Sequence, residues 1–347
     1  MSIQRTRWGT LDDGTPVDLF TLTNSGGMEA SIATYGGILT RLTAPDRDGN
    51  LADVTLGFDS LEEYVADPWY FGSLIGRVAN RVSHACFALN GKFFELEENC
   101  GEHHLHGGSG GFHKQVWDGE SVETDDGPGV LLRYVSPDQE MGYPGRLECS
   151  AMYVLTADGL RLDFKATTDN PTVVNSTLHS YFNLSANPDE NCLGHELCIP
   201  ASRILETDAS LIPTGRITDV ASTPFDFMHP ATIGSRIANN NDGRGYDHYF
   251  VLDNSATTLR PAATVFEPVS GRGMEVWTTS PGVQFYSGDY IPDLLPGKGR
   301  LVYGSHSGFC LEAQGFVDAP NQPGFPEVSL ETGQEFVQTI LFKFFVK

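Results

Sequence analysis

Ala151-Met152-Tyr153-Val154-Leu155-Thr156 and Leu160-Arg161-Leu162-Asp163-Phe164-Lys165 flank Asp158-Gly159, and this stretch decides the fold. In the second run Leu160, Leu162 and Phe164 share one face while Arg161, Asp163 and Lys165 share the other. That period of two is the mark of a half-buried antiparallel strand. Asp-Gly supplies the backbone freedom a tight hairpin turn needs. Working outward, Asn90-Gly91 separates Cys86-Phe87-Ala88-Leu89 from Lys92-Phe93-Phe94-Glu95-Leu96, a second hairpin. Asp13-Gly14 and Asp48-Gly49 repeat the device, and Phe336 to Val346 is a strand-like aromatic run.

Helical signal is sparse. Ser60-Leu61-Glu62-Glu63 has the capping-box pattern that opens one short helix, Leu61 to Ala66, with Pro68 to stop it. Strands do not alternate with amphipathic helices, which argues against a parallel α/β sheet. No Pro-rich or Gly/Ser-rich linker divides the chain, and Asp253 to Ala263, although loop-like, is too short and mixed to mark a boundary. The expectation is an all-β, mostly antiparallel fold with very few short helices, one domain over residues 1–347.

Charge narrows the partners. Twenty-two basic residues stand against 45 acidic ones, for a formal net charge of −23. Such a surface repels nucleic acid, phosphorylated ligands and anionic membranes, which favours a neutral small molecule; it also serves simple solubility. The six cysteines form no C-x-x-C pair. The first residues lack the apolar core of a signal peptide, and no stretch reaches the length of a membrane span. These features together predict a soluble cytoplasmic protein with reduced thiols.

Four short segments hold the candidate chemistry: Gly76-Arg77-Val78-Ala79-Asn80-Arg81, His103-His104-Leu105-His106-Gly107-Gly108, His179-Ser180-Tyr181-Phe182-Asn183-Leu184 and His306-Ser307-Gly308-Phe309-Cys310-Leu311-Glu312. Two imidazoles, a guanidinium and a carboxylate suit acid–base work on a polyol in an aromatic-walled pocket. His104 and His106, if both lie on a strand, put two rings on one face, so a metal pair must be weighed against surface-loop histidines and a ligand site. No second cluster with ligand spacing supports the metal. His179 is either a core imidazole satisfied by neighbouring hydroxyls or a general acid. Glu312, among apolar neighbours, is either outward and solvated or inward, where desolvation makes it a base. Arg81, Asp247 and Gln284 are the right types to fork onto vicinal hydroxyls, or to cap turns and sheet edges. Dinucleotide and P-loop signatures are absent.

Read together, these segments resemble the aldose 1-epimerase (galactose mutarotase) family along nearly the whole chain. The resemblance is carried by Thr34-Tyr35-Gly36-Gly37, Gly76 to Arg81, Leu105-His106-Gly107-Gly108, Gly142-Tyr143-Pro144-Gly145 and His179 to Leu184. Thr223-Pro224-Phe225-Asp226-Phe227, Tyr246-Asp247-His248, Pro281 to Tyr286 and Gly308 to Pro326 continue it. It implies a large β-sandwich and interconversion of the α and β anomers of a free aldohexose such as galactose or glucose, with no cofactor and no metal. Carried over, Glu312 matches the general base and His179 the general acid. Asn80, Arg81, His106, Asp247 and Gln284 match sugar-binding positions. The expected partner is a monosaccharide, with no nucleic acid and no membrane, and the protein a monomer or homodimer.

One departure stands out. His104 occupies the position directly before Leu-His-Gly-Gly where many family members have asparagine, which leaves the sugar preference open. A sugar phosphate as substrate, a sugar-binding module without turnover, and a metal-dependent isomerase on His104 and His106 are the competing readings.

Overall fold

The computed structural model describes residues 1–187, 189–239, 244–253 and 258–347. Every paired strand among them is antiparallel; the one parallel pairing is the isolated bridge Val78 to Asn175. The Asp158-Gly159 hairpin forms as read, joining Leu147–Leu155 to Gly159–Thr168 in continuous register from Leu147 opposite Thr168 to Leu155 opposite Leu160. Leu160, Leu162 and Phe164 are buried, and Lys165 on the other face is exposed. Asn90-Gly91, Asp13-Gly14 and Asp48-Gly49 also sit between paired strands.

That hairpin belongs to a nine-stranded sheet. Its order runs Asp118–Thr124, Gly127–Ser136, Leu147–Leu155, Gly159–Thr168, Glu335–Val346, Arg272–Thr278, Arg260–Phe266, Glu196–Cys198, Ala231–Thr232. The late strand Glu335–Val346 thus lies in the interior, paired on one side to Gly159–Thr168 and on the other to Arg272–Thr278. A six-stranded sheet, ordered Tyr181–Phe182, Phe309–Gln314, Gly282–Tyr286, Asp247–Val251, Arg203–Thr207, Pro213–Asp219, packs against it. Phe309, Leu311 and Ala313 from the six-stranded sheet share a buried core with Leu162, Phe342 and Phe344 from the nine-stranded one. The ring of Phe182 bridges the layers, 4.9 Å from Phe342 and 6.2 Å from Phe309. This is the large antiparallel β-sandwich expected, the two inner faces interdigitating as in other stacked sheets. A five-stranded sheet from Ser2–Thr10 to Leu51–Asp53 completes the larger elements.

The single α-helix among the described residues is Leu61–Ala66. Ser60 caps it, its hydroxyl accepting from the Glu63 amide while the Glu63 carboxylate accepts from the Ser60 amide. Its C-cap is Asp67, one residue before the Pro68 that the sequence marked as the stop. The loop-like stretch at Asp253 to Ala263 is only partly a loop: residues 254–257 lie outside the described residues, and Arg260–Phe266 is a strand of the nine-stranded sheet. None of the six cysteines is paired. No helix among the described residues is long and apolar enough to cross a membrane.

Candidate active site

Alternation along three neighbouring strands builds the floor of a pocket. On Phe309–Gln314, the odd positions enter the core and turn Cys310 and Glu312 to the opposite face. Across the register, Glu312 faces Gln284 on Gly282–Tyr286, and Tyr286 faces Asp247 on Asp247–Val251. Val283 and Phe285 stay in the core, which again sends their neighbours Gln284 and Tyr286 to the pocket face. Both faces of these three strands are therefore buried. Glu312 is 2 % exposed, so of its two readings the inward one holds.

His179 comes from the strand Thr177–His179, placed so that its Nε2 stands 3.7 Å from Glu312 Oε1. Burial drives the two groups toward their neutral forms. It lifts the Glu312 carboxyl well above its ordinary value, with the Asp247 carboxylate adding to the rise and Arg81 opposing it. It brings His179 down to about 4, against the upward pull of its own carbonyl and of Asp247. Among the described residues no hydroxyl bonds this imidazole; Cys310 Sγ lies 3.6 Å from its Nδ1.

The remaining wall is loop. Within Gly76 to Arg81 the two arginines divide. Arg77 is buried and spent on structure, its guanidinium donating to the Ser136 hydroxyl at 2.8 Å and to the Pro144 and Pro137 carbonyls at 2.8 and 2.7 Å. Arg81 opens the short strand Arg81–Val82, which pairs with His104–Leu105, and reaches Asp247 Oδ2 at 3.5 Å. Asn80, at φ +61°, accepts the Arg81 amide on its Oδ1 at 2.8 Å. Asp247 in turn accepts from Gln284 Nε2 at 2.6 Å.

The two histidines of His104-Leu105-His106 do not share a face. The strand ends at Leu105 and His106 turns at φ +52°, so the alternation that would align the rings is broken. His104 is fully buried, with Nδ1 2.7 Å from the Glu97 carbonyl and its ring 5.5 Å from that of Tyr143. Neither residue is a surface-loop histidine. His106 does enter the pocket, held by the Asn80 amide donating to its Nδ1 at 3.2 Å. Gly107 follows at φ +83°, where a Cβ would stand 1.9 Å from the Gly76 carbonyl oxygen; only glycine fits that close pass.

Asn80, Arg81, His106, His179, Asp247 and Glu312 line one pocket. Gln284 is not on its lining and reaches it through Asp247. Glu312 Oε2, Arg81 Nε and Gln284 Oε1 are buried without a hydrogen-bond partner. Such atoms are costly unless a ligand supplies the missing bonds. The aromatic wall is Tyr70, Tyr181 and Tyr286, whose rings lie 5.9, 5.0 and 6.5 Å from that of His179. Tyr70 and the adjoining Trp69 were not singled out from sequence; the run Pro68-Trp69-Tyr70-Phe71 after the helix was the available signal.

His106, His179 and Glu312 also bring three donor atoms within 4.8 Å of one another, a spacing compatible with a metal ion. The donor chemistry fits poorly. Because Nδ1 of His106 accepts the Asn80 amide, the neutral ring carries its proton on Nε2, leaving no lone pair toward the pocket.

Comparison with known proteins completes the picture. A family model described as aldose 1-epimerase matches residues 18–343. Galactose mutarotase of Bos taurus is 42% identical over 347 residues, covering 100% of this chain and 99% of that protein. Galactose mutarotase of Homo sapiens is 41% identical over 346 residues, covering 99% of each. Aldose 1-epimerase of Escherichia coli strain K12 is 34% identical over 338 residues, covering 96% of each. Among solved structures, galactose 1-epimerase from Lactobacillus acidophilus NCFM superposes with a TM-score of 0.86 at 26% identity, covering 100% of this chain and 99% of its own.

Proposed function

The chain belongs to the aldose 1-epimerase family, and from that premise we propose that this pocket interconverts the α and β anomers of a free aldohexose, with Glu312 as base and His179 as acid. It is an isomerase of the mutarotase type. The observation that carries the assignment of roles is the facing pair, Glu312 Oε1 and His179 Nε2 at 3.7 Å, buried side by side under an aromatic wall.

Proton bookkeeping follows from that pair. Glu312 as carboxylate takes the proton of the anomeric hydroxyl, while His179 as imidazolium gives its Nε2 proton to the ring oxygen. The C1–O5 bond breaks and a carbonyl forms at C1. Rotation about C1–C2 presents the other carbonyl face, and both protons return as the ring closes. The charged pair thus becomes a neutral acid and a neutral imidazole as the ring opens. Burial favours those neutral forms, so it makes Glu312 the stronger base and His179 the stronger acid at the step that needs each.

Arg81, Asp247 and His106 surround the sugar hydroxyls. His106 offers its Nε2–H, Arg81 its unpartnered Nε–H, and Asp247 a carboxylate already oriented by Gln284. The tyrosine rings supply apolar contact for the C–H faces of a pyranose. Galactose is the substrate named for the mammalian relatives, and a net charge of −23 favours a neutral sugar over a phosphorylated one. All seven residues come from one chain, so the reading takes residues 1–347 as one catalytic unit that is complete as a monomer or within a homodimer. Six unpaired thiols agree with a cytoplasmic location.

Polarimetry of freshly dissolved α-D-galactose and α-D-glucose tests the reading, with Glu312→Gln and His179→Ala as controls checked for folding by circular dichroism. Acceleration above the spontaneous rate, lost in both variants, is expected. Near-wild-type rates in either folded variant would sink the assignment of roles, and activity abolished by chelator would revive a metal at His106, His179 and Glu312.

A further inference from the structure

Cys310 is buried and has no part in the reaction as written, yet among the described residues its side chain is the one within hydrogen-bonding reach of the acid's Nδ1. It precedes Glu312 by two residues on the same strand, so both side chains emerge on the pocket face. Its partner across the register is Tyr181 on one side and Tyr286 on the other, the two rings that flank His179. The strand that carries the base therefore also delivers a sulfur atom to the far side of the acid's ring. Sγ lies 3.6 Å from Nδ1, within hydrogen-bonding reach for sulfur.

We propose that Cys310 is a positioning residue for His179: its sulfur accepts the Nδ1–H of the imidazole, fixing the tautomer in which Nε2 alone exchanges the catalytic proton. The inference rests on reading His179 as the acid. The ring has two nitrogens, and a mutarotase needs the one facing Glu312 to be bare after it has given its proton to the sugar. That requires the remaining proton to stay on Nδ1 throughout. The backbone carbonyl of His179, which also accepts the Gly72 amide at 2.9 Å, pulls on the same ring, so carbonyl and sulfur together hold the Nδ1 proton.

Sulfur is an apt partner because it is a weak and uncharged acceptor. A carboxylate behind Nδ1, the usual companion of a catalytic histidine, stabilises the imidazolium and weakens it as an acid. A thiol orients the ring without that penalty. Burial raises the Cys310 thiol well above its ordinary value, with Glu312 and Asp247 adding to the rise, so the sulfur stays protonated and neutral beside the ring. The other groups that face His179 are the carboxylates of Glu312 and Asp247, the His106 imidazole and the phenols of Tyr70, Tyr181 and Tyr286. None of them reaches Nδ1.

Three measurements decide it. Nitrogen-15 NMR of the histidine rings at pH 7 should find Nδ1 of His179 protonated and Nε2 bare; a bare Nδ1 overturns the proposal without any variant. Cys310→Ala should lower kcat on the order of tenfold with KM changed less than twofold, as expected for a misoriented acid rather than lost binding. Cys310→Ser, which restores a neutral acceptor, should recover most of that loss. Wild-type kcat in Cys310→Ala, or equal loss in both variants together with equal loss of thermal stability, would reduce the cysteine to packing. If the alanine variant does not fold, the serine variant and the wild-type spectrum still decide. Should His179→Ala itself keep activity, the failure lies with the proposed function and not with Cys310.

Discussion

Asn80 and His106 hold each other through two bonds: the Asn80 amide donates to Nδ1 of His106 at 3.2 Å, and the His106 amide donates to the Asn80 carbonyl at 3.1 Å. Both residues sit at positive φ. The exchange locks the imidazole with Nε2–H toward the pocket. Burial keeps this ring well below its ordinary value, and the nearby His179 and Arg81 push it the same way. His106→Ala is therefore expected to raise KM on the order of tenfold, the scale of losing a hydrogen bond in a desolvated site. In the wild type, KM should stay flat from pH 6 to 8; a KM that climbs as pH falls through 6.5 would show that His106 titrates there.

The acid–base pair predicts its own pH profile. In the proposed mechanism activity requires one proton shared between Glu312 and His179, and it falls when the pair holds two or none. The second proton goes onto His179, whose value is about 4, so the acidic limb of kcat/KM should lie well below pH 6. An acidic limb centred on 6.5 would mean that His179 behaves as an ordinary solvated histidine.

In the proposed mechanism Asp247 enters both recognition and the base. Asp247→Asn preserves the bond from Gln284 but removes the charge facing Arg81. Because the Asp247 carboxylate raises Glu312, its loss lowers the Glu312 value. The basic limb of the profile should move to lower pH, and KM should rise on the order of tenfold. An unmoved basic limb would separate Asp247 from the base.

Gly107→Ala tests the turn that carries His106. A Cβ there meets the Gly76 carbonyl oxygen at 1.9 Å and also opposes a φ of +83°. The expected cost is more than about 2 kcal/mol, read as a lower melting temperature, together with a loss of activity.

Acid should unfold this protein early. His179, His195 and His248 are each held at about 4 and His113 at about 3, with burial the leading cause in every case. These folded values lie below the roughly 6.5 of the unfolded chain, so between those limits the unfolded state binds more protons. The stability they contribute is complete above 6.5 and is lost as pH falls toward 4, at up to about 1.4 kcal/mol per pH unit for each ring. Relief of the acidic surface repulsion works in the other direction but is screened at physiological salt. Asp67 and Asp289, each raised to about 6 by burial, and Glu312, raised well above its ordinary value, take up protons in the fold over the same range and offset part of this loss. The urea midpoint should drop between pH 7 and pH 5; a midpoint that rises would show that the carboxyls outweigh the rings.

Much of this was legible in the sequence. The alternation in Leu160 to Lys165 and the four X-Gly turns specify antiparallel sheet, because both signals are local. The candidate residues could be gathered as types, and six of the seven do line one pocket. What could not be read was set by tertiary contact. Whether Glu312 faced in or out depends on which face of Phe309–Gln314 meets the core, since both faces are buried. Whether His104 and His106 share a strand face turns on a single residue, His106 at positive φ, which periodicity does not reveal. Of two arginines four residues apart, only the fold decides that Arg77 is structural and Arg81 is not.

The interior place of Glu335–Val346 has a kinetic consequence. Thr339 bonds to Asp163 across 176 residues of sequence. Until residues 335–346 emerge from the ribosome, Gly159–Thr168 and Arg272–Thr278 each present an unpaired apolar edge where the last strand will insert. Nascent chains in that interval are templates for one another, and closure of the sheet waits on translation of a segment far from its partners. The burden of keeping the chain from aggregating therefore falls on that interval of synthesis rather than on the finished sandwich.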